Sequence, residues 1–144
     1  IYVVCKQTHH GKVDDGVKEF KDIQSKIHHI RKFENYEKLL KFAETKNIEQ
    51  IYFDIDLDYF TIENSTSNGK QYFTYMKDKE IKEMFILENP LMQWVMKRIE
   101  GMTIAFEPEH TGGINKSMKY YNLLEKLFFN GSVFKWKTTW KHFT

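Results

Sequence analysis

The sequence predicts an α/β domain, a mostly parallel sheet flanked by helices, and three observations lead to it. Short β-branched and aromatic runs alternate with segments whose apolar residues recur at helical spacing. Two of those runs, Ile51–Leu57 and Met102–Phe106, read as buried strands of the kind a two-sided cover of helices produces. The composition is that of a globular chain: of 144 residues, 41% are hydrophobic and 29% charged, so residues 1–144 can form one core and read as a single domain.

Each element follows from its own residues. Ile1 to Lys6 is apolar and β-branched and reads as a strand. Gln7 to Ser25 is polar, with His9-His10-Gly11 and Asp14-Asp15-Gly16 marking a loop. Ile27 to Phe33 reads as a short strand. From Glu34 to about Thr45, Tyr36, Leu39, Leu40 and Ala43 fall on one helical face. Gln50 to about Asp58 is the next strand. Residues 61–75, polar around Asn64-Ser65-Thr66-Ser67-Asn68-Gly69, read as a long loop of the sort that often carries function. Ile81, Met84 and Phe85 indicate a short helix. Asn89-Pro90 supplies a cap and a favoured first residue for a helix that runs through Leu91, Trp94, Val95 and Arg98 to Gly101. A strand over Met102–Phe106 leads into Glu107-Pro108-Glu109-His110-Thr111-Gly112-Gly113. The last helix carries Ile114, Met118, Tyr121, Leu124 and Phe128 on one face and stops at Asn130-Gly131. Phe134 to Thr144, with Trp136 and Trp140, reads as a final strand or docking segment.

Bulk properties narrow the function. A net charge of +2, with basic and acidic residues interspersed, argues against a nucleic-acid surface. Cys5 is the sole cysteine, which excludes an internal disulfide and predicts a reducing, cytoplasmic setting. No apolar run approaches the roughly 20 residues that span a bilayer, so no membrane partner is expected. The opening Ile1-Tyr2-Val3-Val4, without an initiator Met, predicts that the chain is a C-terminal part of a larger fold, incomplete at its N-terminus.

The candidate site comes from topology. Ligands gather beyond the carboxyl ends of strands in open α/β sheets. Two strands end in acidic runs, Asp54-Ile55-Asp56-Leu57-Asp58 and Glu107-Pro108-Glu109-His110, and parallel strands would place both on one rim. Asp54 and Asp56 share a strand face, about 6–7 Å apart. Ionised carboxylates so close in a half-buried place need a proton, a basic side chain or a cation beside them, and hard divalent ions prefer such oxygens. The alternative, a solvent-facing edge, fits poorly with the apolar Tyr52, Phe53, Ile55 and Leu57. Asp58 could instead cap a turn. A calcium loop starting at Asp54 is excluded, since Tyr59 and Ser65 stand where Gly and Glu belong. An Asp-x-Asp phosphatase using Mg²⁺ is a further reading, although Asp58 occupies the place of its usual Thr. His110, beside the acidic run, and His10, if His10-Gly11 reaches the rim, are candidates for proton transfer. Gly112-Gly113 suits either an anion at a helix start or a tight turn. Trp94 and the Tyr120-Tyr121 pair read as packing, Cys5 as a small buried residue.

The string Asp54-Ile55-Asp56-Leu57-Asp58-Tyr59-Phe60, followed by Pro108-Glu109-His110-Thr111-Gly112-Gly113, resembles the arginase-like ureohydrolases, and within them the peptide-arginase branch. The resemblance implies an arginase-like three-layer sandwich and a two-manganese centre that hydrolyses the guanidino group of a peptidyl arginine to ornithine and urea. Carried over, Asp54 and Asp56 would be metal ligands. Glu107, by its place after the strand, or Glu109, by the Pro-Glu motif, would hold the substrate guanidinium. The family also uses an earlier His ligand and an Asp-x-His-x-Asp motif, which this chain does not contain. The rest of the centre would then lie upstream, or the chain would be a degenerate member that binds a peptide or partner without catalysis.

Overall fold

The computed structural model describes residues 1–5 and 16–131. The α/β class is observed, but the strands form three small sheets instead of one mostly parallel sheet. In the first, β1 (Tyr2–Val4) runs parallel to β3 (Ile27–Phe33), and β2 (Val17–Lys21) pairs antiparallel with the other edge of β3. In the second, β4 (Ile51–Asp56) and β7 (Ile99–Ala105) are parallel. The third is the antiparallel hairpin of β5 (Thr61–Ser65) and β6 (Gln71–Tyr75). Five helices complete the fold: α1 (Tyr36–Ala43), α2 (Asp78–Phe85), α3 (Pro90–Met96), the short α4 (Pro108–Thr111) and α5 (Ile114–Phe129).

Two expected loops are strands. Val17–Lys21 alternates too briefly to stand out, and every residue of β2 is exposed, so it carries little apolar signal. The 61–75 segment is a hairpin closed at Asn68-Gly69, with Gly69 at φ +80° and Thr66 N donating to Lys70 O at 2.8 Å. Its polar residues pair across the strands, Asn64 Nδ2 donating to Thr74 Oγ1, and that is why it escapes an apolar reading. Helix boundaries shift less. Asn35 caps α1 and Asn89 caps α3, each side chain accepting from a backbone N–H of the first turn. The helix expected to reach Gly101 stops at Met96, because Ile99 to Gly101 already belong to β7.

The core sits between the β4–β7 pair and helices α2, α3 and α5. Leu57, Phe60, Ile81, Met92, Tyr120 and Leu124 are all but inaccessible to solvent. Phe60 is the hinge of this cluster, edge-on to Phe85 at 5.8 Å and to Tyr120 at 5.2 Å between ring centroids. The Tyr120 hydroxyl donates to Phe60 O at 3.0 Å and lies 3.3 Å from Thr61 Oγ1, so its polar end is satisfied inside the core. Tyr120 and Tyr121 are thus packing residues, as expected; Cys5 is half-buried. His28 and His29 lie in β3, bonded to Asp22 and Glu19. No helix among the described residues is long and apolar enough to cross a membrane.

Between α4 and α5 the chain turns through two residues at positive φ, Gly112 at +87° and Gly113 at +110°. A Cβ on Gly112 would fall 2.5 Å from the Tyr75 hydroxyl. Gly112→Ala is therefore expected to lower stability by about 1–3 kcal/mol, from left-handed strain plus displacement of Tyr75. In a Tyr75→Ala background the steric part disappears and the strain part remains, so a double-mutant cycle by urea unfolding should give a coupling of about 1 kcal/mol. A cost within error of zero for Gly112→Ala would show that the turn is not held in this conformation.

Candidate metal centre

The rim predicted from topology forms because β4 and β7 are parallel and in register, Asp56 opposite Ala105. Beyond Ala105 the chain needs only Phe106 to bring Glu107 alongside the end of β4. Beyond Asp56 the chain leaves the strand and enters a 3-10 turn, Leu57–Phe60. Leu57 and Phe60 drive that turn, since both are pulled into the core. The turn swings Asp58 round towards Asp56, whose Oδ1 accepts the Asp58 N–H at 3.1 Å. The cap is thus Asp56, where sequence reasoning had offered Asp58.

One carboxylate oxygen from each of Asp56, Asp58 and Glu107 lies within 4.8 Å of the other two. Oxygens on one small divalent ion are about 3 Å apart when adjacent and about 4.2 Å when opposite, given ligand distances near 2.1 Å. The spacing is compatible with two of these carboxylates on a single ion and the third facing it. Asp56 and Asp58 are half-buried, and Glu107 is exposed. Glu107 also has left-handed backbone, φ +35° and ψ +63°, a strained state for a non-glycine residue that precedes proline. Its carbonyl accepts from His110 N and Thr111 N, which starts α4.

Burial pushes the Asp56 carboxyl above the usual carboxylate range. The Asp58 N–H pulls it down, while the charges of Asp58 and Glu107 and a hydrogen bond shared with the Asp58 carboxyl raise it further. A folded-state pKa above the unfolded one means that the folded chain takes up a proton more readily. The contribution of Asp56 to stability is therefore greatest at acid pH and falls as pH rises through the interval between the two values. Saturating Mn²⁺ should cancel that loss, because the ion replaces the proton. The check is the unfolding midpoint against pH with and without metal: the gap should widen above the carboxylate range and close below it. A gap independent of pH would remove Asp56 from the site.

The other predicted residues divide. Asp54 points from the exposed face of β4 and accepts a hydrogen bond from Thr103, its cross-strand neighbour, so it stands apart from the trio. Tyr52 on the same face is 87% exposed. That face is open, which corrects the reading of a strand covered on both sides. Glu109 and His110 are exposed in α4, one turn from Glu107. His10 lies outside the described residues, as do Trp136 and Trp140. Asp58 falls at the next period-two position but reads from sequence only as a turn cap; the strand ends before it, and the 3-10 turn brings it into the group. The trio offers three carboxylates and no imidazole, a donor set that suits one hard cation; by itself it does not make the two-manganese centre with histidine ligands. No protein-family model, curated protein or solved structure matches this chain.

Proposed function

We propose that the chain carries a hydrolytic site for a guanidino group, acting on arginine within a peptide and releasing urea, with Asp56 and Asp58 as ligands of a divalent cation. The observation that supports this reading is the convergence of Asp56, Asp58 and Glu107 at the carboxyl ends of two parallel strands. A bound Mn²⁺ would supply Lewis acidity and a water acidic enough to ionise near neutral pH. The protein's own residues do the rest. Glu107 faces the cation position and accepts charge-assisted hydrogen bonds from the guanidinium, and Glu109 is the second choice for that clamp. Water adds to the guanidinium carbon, the bond from that carbon to the side-chain nitrogen breaks, and that nitrogen takes a proton as urea leaves. His110, exposed on the same short helix, would exchange that proton with solvent. The ligand pair is thus moved two residues along from Asp54–Asp56 to Asp56–Asp58, with Asp54 held on the open face by Thr103.

Phosphoryl transfer is the second reading, favoured by the room for one cation. It would need Asp54 as nucleophile, and Asp54 is not in the group. The experiment is metal analysis and urea release with arginine-containing peptides, using Mn²⁺-loaded protein. Bound metal with urea and ornithine in equal amounts is the expected result. Metal without urea would favour a binding role, and phosphate release from a phosphomonoester without urea would favour the second reading.

A further inference from the structure

We propose that a cleft at the opposite end of the β4–β7 pair binds a phosphomonoester dianion. The cleft, about 390 Å³, lies between the C-terminal end of α1 and α3, and is lined by Glu44, Lys46, Gln93, Trp94, Lys97 and Arg98. It is a separate place from the carboxylates. Arg98 directly precedes β7, and Ile48 comes shortly before β4, so a strand's length of roughly 17–20 Å separates the cleft from Asp56.

Arg98 is the organising residue. Its Nε donates to Ile48 O at 2.9 Å and its Nη1 to Trp94 O at 3.1 Å. Its guanidinium lies 4.5 Å from the centroid of the Trp94 ring. The side chain is therefore fixed before any ligand arrives, which lowers the entropy lost on binding. Nη2 makes no hydrogen bond among the described residues and remains available to an oxyanion. Lys46 and Lys97, both exposed, also line the cleft, and the Lys46 ammonium lies 5.2 Å from the centroid of the Phe42 ring.

Charge and size choose the ligand. Three cationic residues and one carboxylate, Glu44, line the cleft. A carboxylate ligand would neutralise one of the excess charges, whereas a phosphomonoester, near −2 at neutral pH, neutralises both and has oxygens for Arg98 and each lysine. The cleft is open and larger than a bare phosphate needs, so it has room for a small organic body beside the phosphate.

The test is calorimetric titration of the full chain, at low salt, with inorganic phosphate, ribose 5-phosphate, a nucleoside monophosphate, its phosphate-free nucleoside and succinate. At least one organophosphate should bind saturably, at least about tenfold more tightly than the nucleoside or succinate. Lys46→Glu and Lys97→Glu should each weaken it by about tenfold or more, with unfolding midpoints close to that of the parent chain, since both residues are exposed. Arg98→Lys should also weaken it, but Arg98 ties down the backbone, so the lysine variants are the decisive arm. Inorganic phosphate binding as tightly as the esters would support the anion site and assign the free ion as its occupant. No saturable binding up to about 10 mM, succinate binding equal to the phosphates, or lysine variants with unaltered affinity would each overturn the proposal.

Discussion

Asp56→Asn is expected to weaken Mn²⁺ binding by at least about 100-fold while leaving the metal-free chain as stable as before, or more so. Changes one shell removed from a metal already cost 10–100-fold, and this one removes a ligand charge. The asparagine keeps the Oδ1 that accepts the Asp58 N–H, so the 3-10 turn retains its cap. What disappears is a half-buried charge that burial and two neighbouring carboxylates already disfavour. The two effects have opposite signs, and that separates a ligand from a structural residue. In the parent chain, metal at 100 times its Kd should raise unfolding free energy by about 2.7 kcal/mol. In the variant the same concentration should raise it by little. Isothermal titration together with urea unfolding, each with and without Mn²⁺, reads both quantities. Parent-like affinity in the variant, or a metal-free loss above about 1 kcal/mol, would sink the assignment. Urea release should fall with the metal.

The parallel pairing of β4 and β7 was legible because strand, helices, strand is the order that requires a crossover. It is this pairing, more than any residue motif, that brings Asp56 and Glu107 together. The single sheet was not legible. It fails because β1 and β3 pair with each other and not with β4 or β7; Val17–Lys21 and the 61–75 hairpin went unread because they are mostly exposed strands. The Asn68-Gly69 turn, followed by the Tyr72-Phe73-Thr74-Tyr75 run, was the available signal for the hairpin.

Within the site, counting by two along the strand gives Asp54, Asp56 and Asp58; the family resemblance picked the first two as ligands, and the shared strand face ends at Asp56. From Leu57 the chain obeys the core, burying Leu57 and Phe60, and Asp58 follows. Sequence spacing carries no notice of that change until the partners of Phe60 are known. Tyr52 illustrates the same limit from the other side: an aromatic in an apolar run suggests burial, yet it lies on the open face, its ring close beneath Gly101.

The dependence of the site on that turn makes Tyr120 the most consequential core position. Tyr120→Ala is expected to destabilise the fold by about 3–5 kcal/mol, from lost apolar burial and the cavity left beside Phe60. Tyr120→Phe keeps the ring and removes only the hydroxyl, which leaves Phe60 O and Thr61 Oγ1 without that partner; about 1–2 kcal/mol is expected. Denaturant unfolding of both variants gives the two increments, and a Tyr120→Ala cost below about 1.5 kcal/mol would contradict full burial of the ring. The functional consequence follows from connectivity. Phe60 ends the turn that carries Asp58, and its carbonyl accepts from the Tyr120 hydroxyl in α5 and from Met76 N–H. Losing that bond should loosen Asp58 relative to Asp56 and weaken Mn²⁺ binding several-fold in Tyr120→Phe, although the hydroxyl touches none of the three carboxylates. Unchanged metal affinity in that variant would mean that burial of Leu57 and Phe60 alone sets the position of Asp58.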